Sequence, residues 1–237
     1  MKVYNFPQYD AEWWAIRRGV PTVSEFKKLL TAGGKLSEQA GGYACKLIGD
    51  LYDRQYPRTD TYVSAAMKNG TMLEPEARAW YELETGQTVR QVGFCLTDDG
   101  RFGASPDALV GDDGVLELKS PNPQTHVEWL IGGVLPAEHG PQVHGALIVT
   151  GRPWCDFMSY VDGLPALRVR VEPDAYTAKL KEAMEVFWLK YQGLLAAVRE
   201  KYPTLCEDRI HRVTVDAQAE EEAAAALFGG KAADVPY

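Results

Sequence analysis

An α/β fold is predicted by three features of the chain. Apolar residues recur at helical spacing over residues 72–84 and, at greater length, over 173–202. Between those stretches, residues 102–119 read as a β-hairpin broken by Gly111-Asp112-Asp113-Gly114. Beyond the hairpin, a helical segment at 136–149 precedes two further strand-like runs at 154–161 and 166–171. Helices and strands therefore alternate along the chain, the pattern of a sheet covered by helices rather than of a bundle or a sandwich.

The elements follow in order. Asp10 is placed to cap a short helix through Ile16, which Gly19-Val20-Pro21 ends. Thr22 or Ser24 then caps a second helix with Phe26, Leu29 and Leu30 on one face. Residues 31–42 hold Gly33-Gly34 and Gly41-Gly42 and read as a mobile loop. Residues 43–52 are helical, with Leu47, Ile48 and Leu51 apolar, and 62–68 form a further short helix. The helix at 72–84 has Pro75 near its first turn and Gly86 as its stop. Residues 89–96 alternate loosely, as one strand. In the last helix Tyr176, Leu180, Met184, Phe187, Trp188, Tyr191, Leu195 and Val198 follow one face. That aromatic stripe reads as core packing rather than as a base-stacking platform. One domain over 1–202 is expected, followed by an acidic, alanine-rich tail over 203–237.

Composition sets limits. A chain of 237 residues with 46% hydrophobic and 24% charged residues can bury a core without disulfides. Cys45, Cys95, Cys155 and Cys206 form no CxxC pair, which argues against a zinc ribbon or an iron–sulfur cluster and suits a reducing cytoplasm. The start, MKVYNFPQYDAEWW, has no apolar h-region, and no apolar run is long enough to span a membrane, so neither a signal peptide nor a membrane is expected. Net charge is −8, which taken alone argues against a nucleic-acid partner. From residue 207 onward, however, seven acids face three bases, so the tail carries half of that excess. The remaining charge suits a metal centre whose carboxylates are neutralised by cations, with binding focused in a groove.

The chemistry is concentrated in Arg101 to Pro123, RFGASPDALVGDDGVLELKSPNP. Glu117 and Lys119 sit two apart on a strand and share one face. Asp107 lies on the preceding strand. A register with Val110 opposite Val115 would turn Asp107 to the other face, so an odd-length turn or a bulge is expected at the two glycines. Two carboxylates and a lysine make a poor packing patch and a good metal site. Asp107, Glu117 and the Leu118 carbonyl are hard oxygen donors suited to Mg²⁺, and Lys119 can orient or deprotonate an attacking water. The competing reading is a surface hairpin with ordinary charges. Glu74, in GTMLEPEARAWYELETG, is placed at the start of a helix facing the same site, or it merely compensates the helix dipole there.

In four ordered segments the chain resembles the phage lambda exonuclease and YqaJ-like viral recombinases, a branch of the PD-(D/E)xK nucleases. The segments are EWWAIRRGVPTVSEF, NGTMLEPEAR, ASPDALV followed by LELKSP, and PQVHGALIVTGRPW. The resemblance runs from Glu12 to Tyr202. It implies a restriction-endonuclease-like α/β core, a central mixed sheet flanked by helices. It also implies a 5′-to-3′ exonuclease that digests linear double-stranded DNA from its ends by two-metal hydrolysis, using Mg²⁺ or, in its place, Mn²⁺. Position by position, Asp107, Glu117 and Leu118 are matched to the metal ligands, Lys119 to the catalytic lysine and Glu74 to the helix carboxylate. Arg17, with Ser24 nearby, is matched to the receptor of the terminal 5′-phosphate. Gln142 is matched to the first glutamine of a QxQ pattern whose second place is taken here by His144, a donor to phosphate or lysine. Also implied are a homotrimeric ring, a single-strand annealing partner and a cytoplasmic setting in a bacterial or phage-infected cell. The rival readings are another PD-(D/E)xK nuclease (an endonuclease or a RecB-like enzyme) and a non-catalytic DNA-end-binding scaffold.

Overall fold

A computed structural model of the chain describes residues 1–57 and 65–205. These fall into two compact units, 1–194 and 195 onward. In the first unit, β1 (Lys2–Tyr4), α1 (Ala11–Arg17) and a 3-10 turn (Val23–Lys28) lead into α2 (Ala40–Tyr52) and α3 (Ala65–Thr85). Next come β2 (Val89–Arg90), β3 (Phe94–Leu96), β4 (Gly103–Ala104), β5 (Ala108–Val110) and β6 (Gly114–Lys119). Then follow α4 (Pro123–Gly132), α5 (Gly140–Thr150), β7 (Trp154–Ser159) and β8 (Leu167–Val171), and finally α6 (Ala175–Lys201), whose last residues belong to the second unit. The expected acidic tail lies, from residue 206, outside the described residues.

The fold is α/β. Its central sheet has the order β2-β5-β6-β7-β8, with β6 and β7 parallel and every other pair antiparallel. A parallel pair needs a long crossover, and α4 with α5 supplies it. A smaller antiparallel sheet, β1-β3-β4, belongs to the same unit. One face of the central sheet (Ala108, Val110, Leu116, Leu118, Met158) packs with Ala77 and Tyr81 of α3. Since residues alternate along β6, Glu117 and Lys119 must face the other way.

The hairpin register is Val110↔Gly114, Leu109↔Val115 and Ala108↔Leu116. The loop between is the expected odd-length one, Gly111-Asp112-Asp113, and continuing the register sets Asp107 opposite Glu117. Gly111 takes a positive φ of 47°, and Gly114 lies so close across from Trp154 that a Cβ would meet its ring at 2.0 Å. Arg152 ties this loop down. One of its guanidinium nitrogens donates to the carbonyls of Val110 (3.1 Å), Gly111 (3.1 Å) and Gly114 (2.7 Å). Arg152→Leu should therefore lower stability by about 1–3 kcal/mol, because turn carbonyls lose a charged donor. In urea unfolding the midpoint should fall at an unchanged slope; an unmoved midpoint would show that water replaces the arginine without loss.

Several expectations need correction. The second helix is a 3-10 turn of six residues, and Thr22 makes no side-chain cap bond to it. Helix α2 begins at Ala40, so Gly41 and Gly42 are helical rather than loop. The strand expected over 89–96 is two strands in different sheets, broken at Gly93, whose N–H bonds to the Tyr4 carbonyl. The short helix expected at 62–68 lies in part outside the described residues; from Ala65 it is continuous with α3, so Pro75 lies inside that helix. Helix α4 was not anticipated, although Asn122-Pro123 carries its start signal: the Asn122 side chain accepts from the Thr125 N–H at 2.9 Å.

Candidate active site

The central strand β6 brings the acidic and basic groups together. Glu117 is 2% exposed although ionisable. Its Oε1 accepts from both Lys119 Nζ and Gln142 Nε2. Lys119 Nζ also donates to the Leu118 carbonyl at 3.1 Å. Asp107 Oδ2 accepts the Leu118 N–H at 2.5 Å. Thus Asp107, Glu117, Leu118, Lys119 and Gln142 meet at one place, with α5 delivering the glutamine. Glu74 comes from α3, three residues before Ala77 on the face that packs against the sheet, and is held by Arg78 Nη1 at 3.6 Å. Because α3 starts well before it, Glu74 is not a first-turn residue, and dipole compensation no longer accounts for it.

The electrostatics describe a site short of positive charge. Burial pushes the Glu117 carboxyl above the usual carboxylate range, opposed by Lys119 and reinforced by Asp107. Burial also raises Asp107, against the pull of Lys119. Glu74 is raised by burial and then by Asp107. For Lys119 burial acts downward, yet Glu117, Asp107 and Glu74 outweigh it and hold the ammonium charged. Three acids share Lys119 and, at their edge, Arg78, and all three carboxyls are still raised, so a further cation would be favoured. The Lys119 ammonium rests on both Glu117 Oε1 and the Leu118 carbonyl oxygen. The donors are all oxygens, as a hard divalent cation requires. Among the described residues, no cluster of three His, Cys, Asp or Glu side chains is arranged around a metal position.

Arg17 lies apart from this cluster, in a cage of its own. Its guanidinium stacks on Trp13 at 4.0 Å and donates to Ser105 Oγ at 2.9 Å and Thr22 Oγ1 at 3.5 Å. Trp13 Nε1 donates to the same Ser105 hydroxyl at 2.9 Å. Burial pulls Arg17 below its usual range, but arginine keeps its charge, and among the described residues no carboxylate pairs with it. Ser24 is linked to this cage through Thr22, the two hydroxyl oxygens lying 3.3 Å apart. Ser24 also lines a cavity of about 170 Å³ with Lys27, Glu138, His139 and Gln142. His139 is pushed down to about 4 by burial and then by Lys119 and Lys27, which keeps it neutral there. Arg18 is engaged elsewhere, donating to the Asp50 and Asp53 carbonyls.

His144 does not join the cluster as expected. It is buried, and its Nδ1 faces Thr177 Oγ1 at 2.8 Å, tying α5 to the start of α6. Ser105 and Trp13 were missed from sequence. Ser105 stands two residues before Asp107, and no local signal ties its hydroxyl to an arginine 88 residues away.

Comparison with known proteins agrees with this architecture. Residues 12–153 match the YqaJ-like viral recombinase domain. An alkaline exonuclease from Laribacter hongkongensis, LHK-Exo, is 35% identical over 83% of this chain and 100% of its own, with a TM-score of 0.70. The same exonuclease in complex with dAMP gives a TM-score of 0.71 at the same identity and coverage. A phage-related exonuclease from Haemophilus somnus 129PT shares the fold, with a TM-score of 0.55 and 14% identity over 76% of this chain and 96% of its own. No curated protein sequence matches. The domain match takes in Arg17, the hairpin with Asp107, Glu117 and Lys119, and Gln142. This chain belongs to the YqaJ-like viral recombinase family.

Proposed function

We propose that the chain is a metal-dependent deoxyribonuclease that digests linear double-stranded DNA from its 5′ ends. The observation that carries this reading is the Lys119 ammonium resting on Glu117 and on the Leu118 carbonyl, with Asp107 across the hairpin. Asp107, Glu117 and Leu118 would hold Mg²⁺, or Mn²⁺ in its place, and Glu74 is the further carboxylate open to a second ion. Such an ion supplies Lewis-acid stabilisation of the phosphate and a more acidic water. Lys119 holds its proton among the acids and orients the water that attacks phosphorus. Gln142 fixes the Glu117 carboxylate, and Arg17 receives the 5′-phosphate. The domain is taken as residues 1–202, with the tail dispensable for hydrolysis. A homotrimeric ring and a single-strand annealing partner follow from the resemblance alone.

The test is digestion of linear and circular forms of one plasmid. Linear DNA should be degraded with Mg²⁺ or Mn²⁺, and circular DNA spared. Ca²⁺, with looser geometry and more ligands, should support binding and poorly support cutting. Equal rates in Ca²⁺ and Mg²⁺ would contradict the metal's role. Degradation of the circle would make the chain an endonuclease, and bound but uncut ends a scaffold.

A further inference from the structure

Tyr9 is the only described residue other than glycine with a left-handed backbone, at φ 73°. A side chain is strained there, and such strain persists only where the surroundings impose it, most often at functional sites. Here the neighbours impose it on both sides. Gln8 Nε2 donates to the carbonyls of Val92 (3.2 Å) and Pro106 (3.1 Å), which pins the chain directly beside Asp107. Two residues after Tyr9, α1 begins at Ala11.

The residue that results is 60% exposed. Its ring centroid lies 4.9 Å from that of Trp13 and 6.4 Å from that of Trp14. A hydrophobic staple at the start of α1 accounts for the Trp14 contact. A staple requires neither a left-handed backbone nor such exposure. Trp13, beneath Tyr9, is buried and carries the Arg17 guanidinium and the Ser105 hydroxyl. Tyr9 therefore stands between the arginine cage and Pro106-Asp107. The charges it feels agree: burial raises its hydroxyl, Glu74 and Asp107 add to that, and Arg17 and Lys119 oppose it.

We infer that Tyr9 is a stacking platform for the 5′-terminal nucleobase of the strand being digested, a role that rests on the nuclease reading above. An exposed aromatic face suits that task because every base has a π-face, so stacking tolerates any sequence. An enzyme that meets each base in turn needs that tolerance.

The experiment compares 5′-phosphorylated duplexes that end in a natural or an abasic 5′ nucleotide, digested with Mg²⁺ by the full chain. The variants are Tyr9→Phe, which keeps the ring, and Tyr9→Gly, which removes it while accepting the backbone angle without strain. For the wild type and Tyr9→Phe, loss of the terminal base should reduce kcat/KM by about five- to a hundredfold. For Tyr9→Gly the two substrates should be cut at nearly the same rate as each other. A Tyr9→Gly variant as sensitive to the missing base as the wild type would overturn the inference and leave the nuclease reading intact. A wild type that cuts neither duplex would overturn both.

Discussion

Lys119→Ala is expected to slow DNA cleavage by about 10² to 10⁴, the usual cost of losing a group that positions or activates the attacking water. Binding of duplex DNA in Ca²⁺ should change little by comparison. The expectation comes from where the ammonium sits. It touches Glu117 and the Leu118 carbonyl and feels Asp107 and Glu74 besides, so it lies among the groups that would hold the metal rather than on the approach to them. Removing it also uncovers two buried carboxylates, so a thermal melt should accompany the rate measurement. Lys119→Arg separates two roles within this site. Arginine keeps the charge but does not give up its proton. An arginine variant as slow as the alanine one assigns Lys119 the proton; partial recovery assigns it the charge. Near wild-type turnover of Lys119→Ala would remove the lysine from the mechanism.

The hairpin was legible in the sequence because its signals are local. Glu117 and Lys119 share a face by strand periodicity alone, and the position of Asp107 follows once the loop is odd. Gly111 and Gly114 announced that loop; the length of three had to come from the structure. Gln142 was legible only through the resemblance. No local rule aims an α5 side chain at a β6 carboxylate, and their bond crosses 25 residues of chain. Distance defeats local reading again at Arg17, whose partner Ser105 is 88 residues away. His144 shows the opposite failure. Its place in a sequence pattern suggested a polar contact at the site, but two residues on from Gln142 is more than half a helical turn, and the ring turns to Thr177 instead. Glu74 is placed at a helix start by a helical pattern that begins at residue 72, whereas α3 begins at Ala65 and runs through Pro75.

Arg17→Ala is expected to abolish most of the preference for a 5′-phosphorylated end while slow cutting persists. An enzyme that removes nucleotides from a 5′ end meets a new terminal phosphate after each step, and a planar guanidinium recognises that group better than a point charge does. The structure narrows the donors. Thr22 gives its N–H to the Tyr43 hydroxyl at 3.0 Å, and the element that follows is a six-residue 3-10 turn. The Thr22 N–H is therefore already spent, and a turn this short offers little of the aligned dipole of a full helix. What remains is the Arg17 charge, braced by Trp13, with the hydroxyls of Ser105, Thr22 and Ser24 around it. A hydrogen bond to a charged group contributes about 1.5–3 kcal/mol, so the wild type should favour 5′-phosphate over 5′-hydroxyl duplexes by about ten- to a hundredfold in kcat/KM. In Arg17→Ala that ratio should fall towards one, because the 5′-hydroxyl substrate never used the arginine. The hydroxyls cannot compensate, since without the guanidinium they offer dipoles where a dianion needs charge. Arg18 should not substitute either, because its guanidinium is committed to the Asp50 and Asp53 carbonyls at the end of α2. Measuring both substrates with both proteins gives the answer directly: a preference that survives in Arg17→Ala would place the phosphate elsewhere, with the cavity of Ser24, Lys27 and Gln142 the next site to probe.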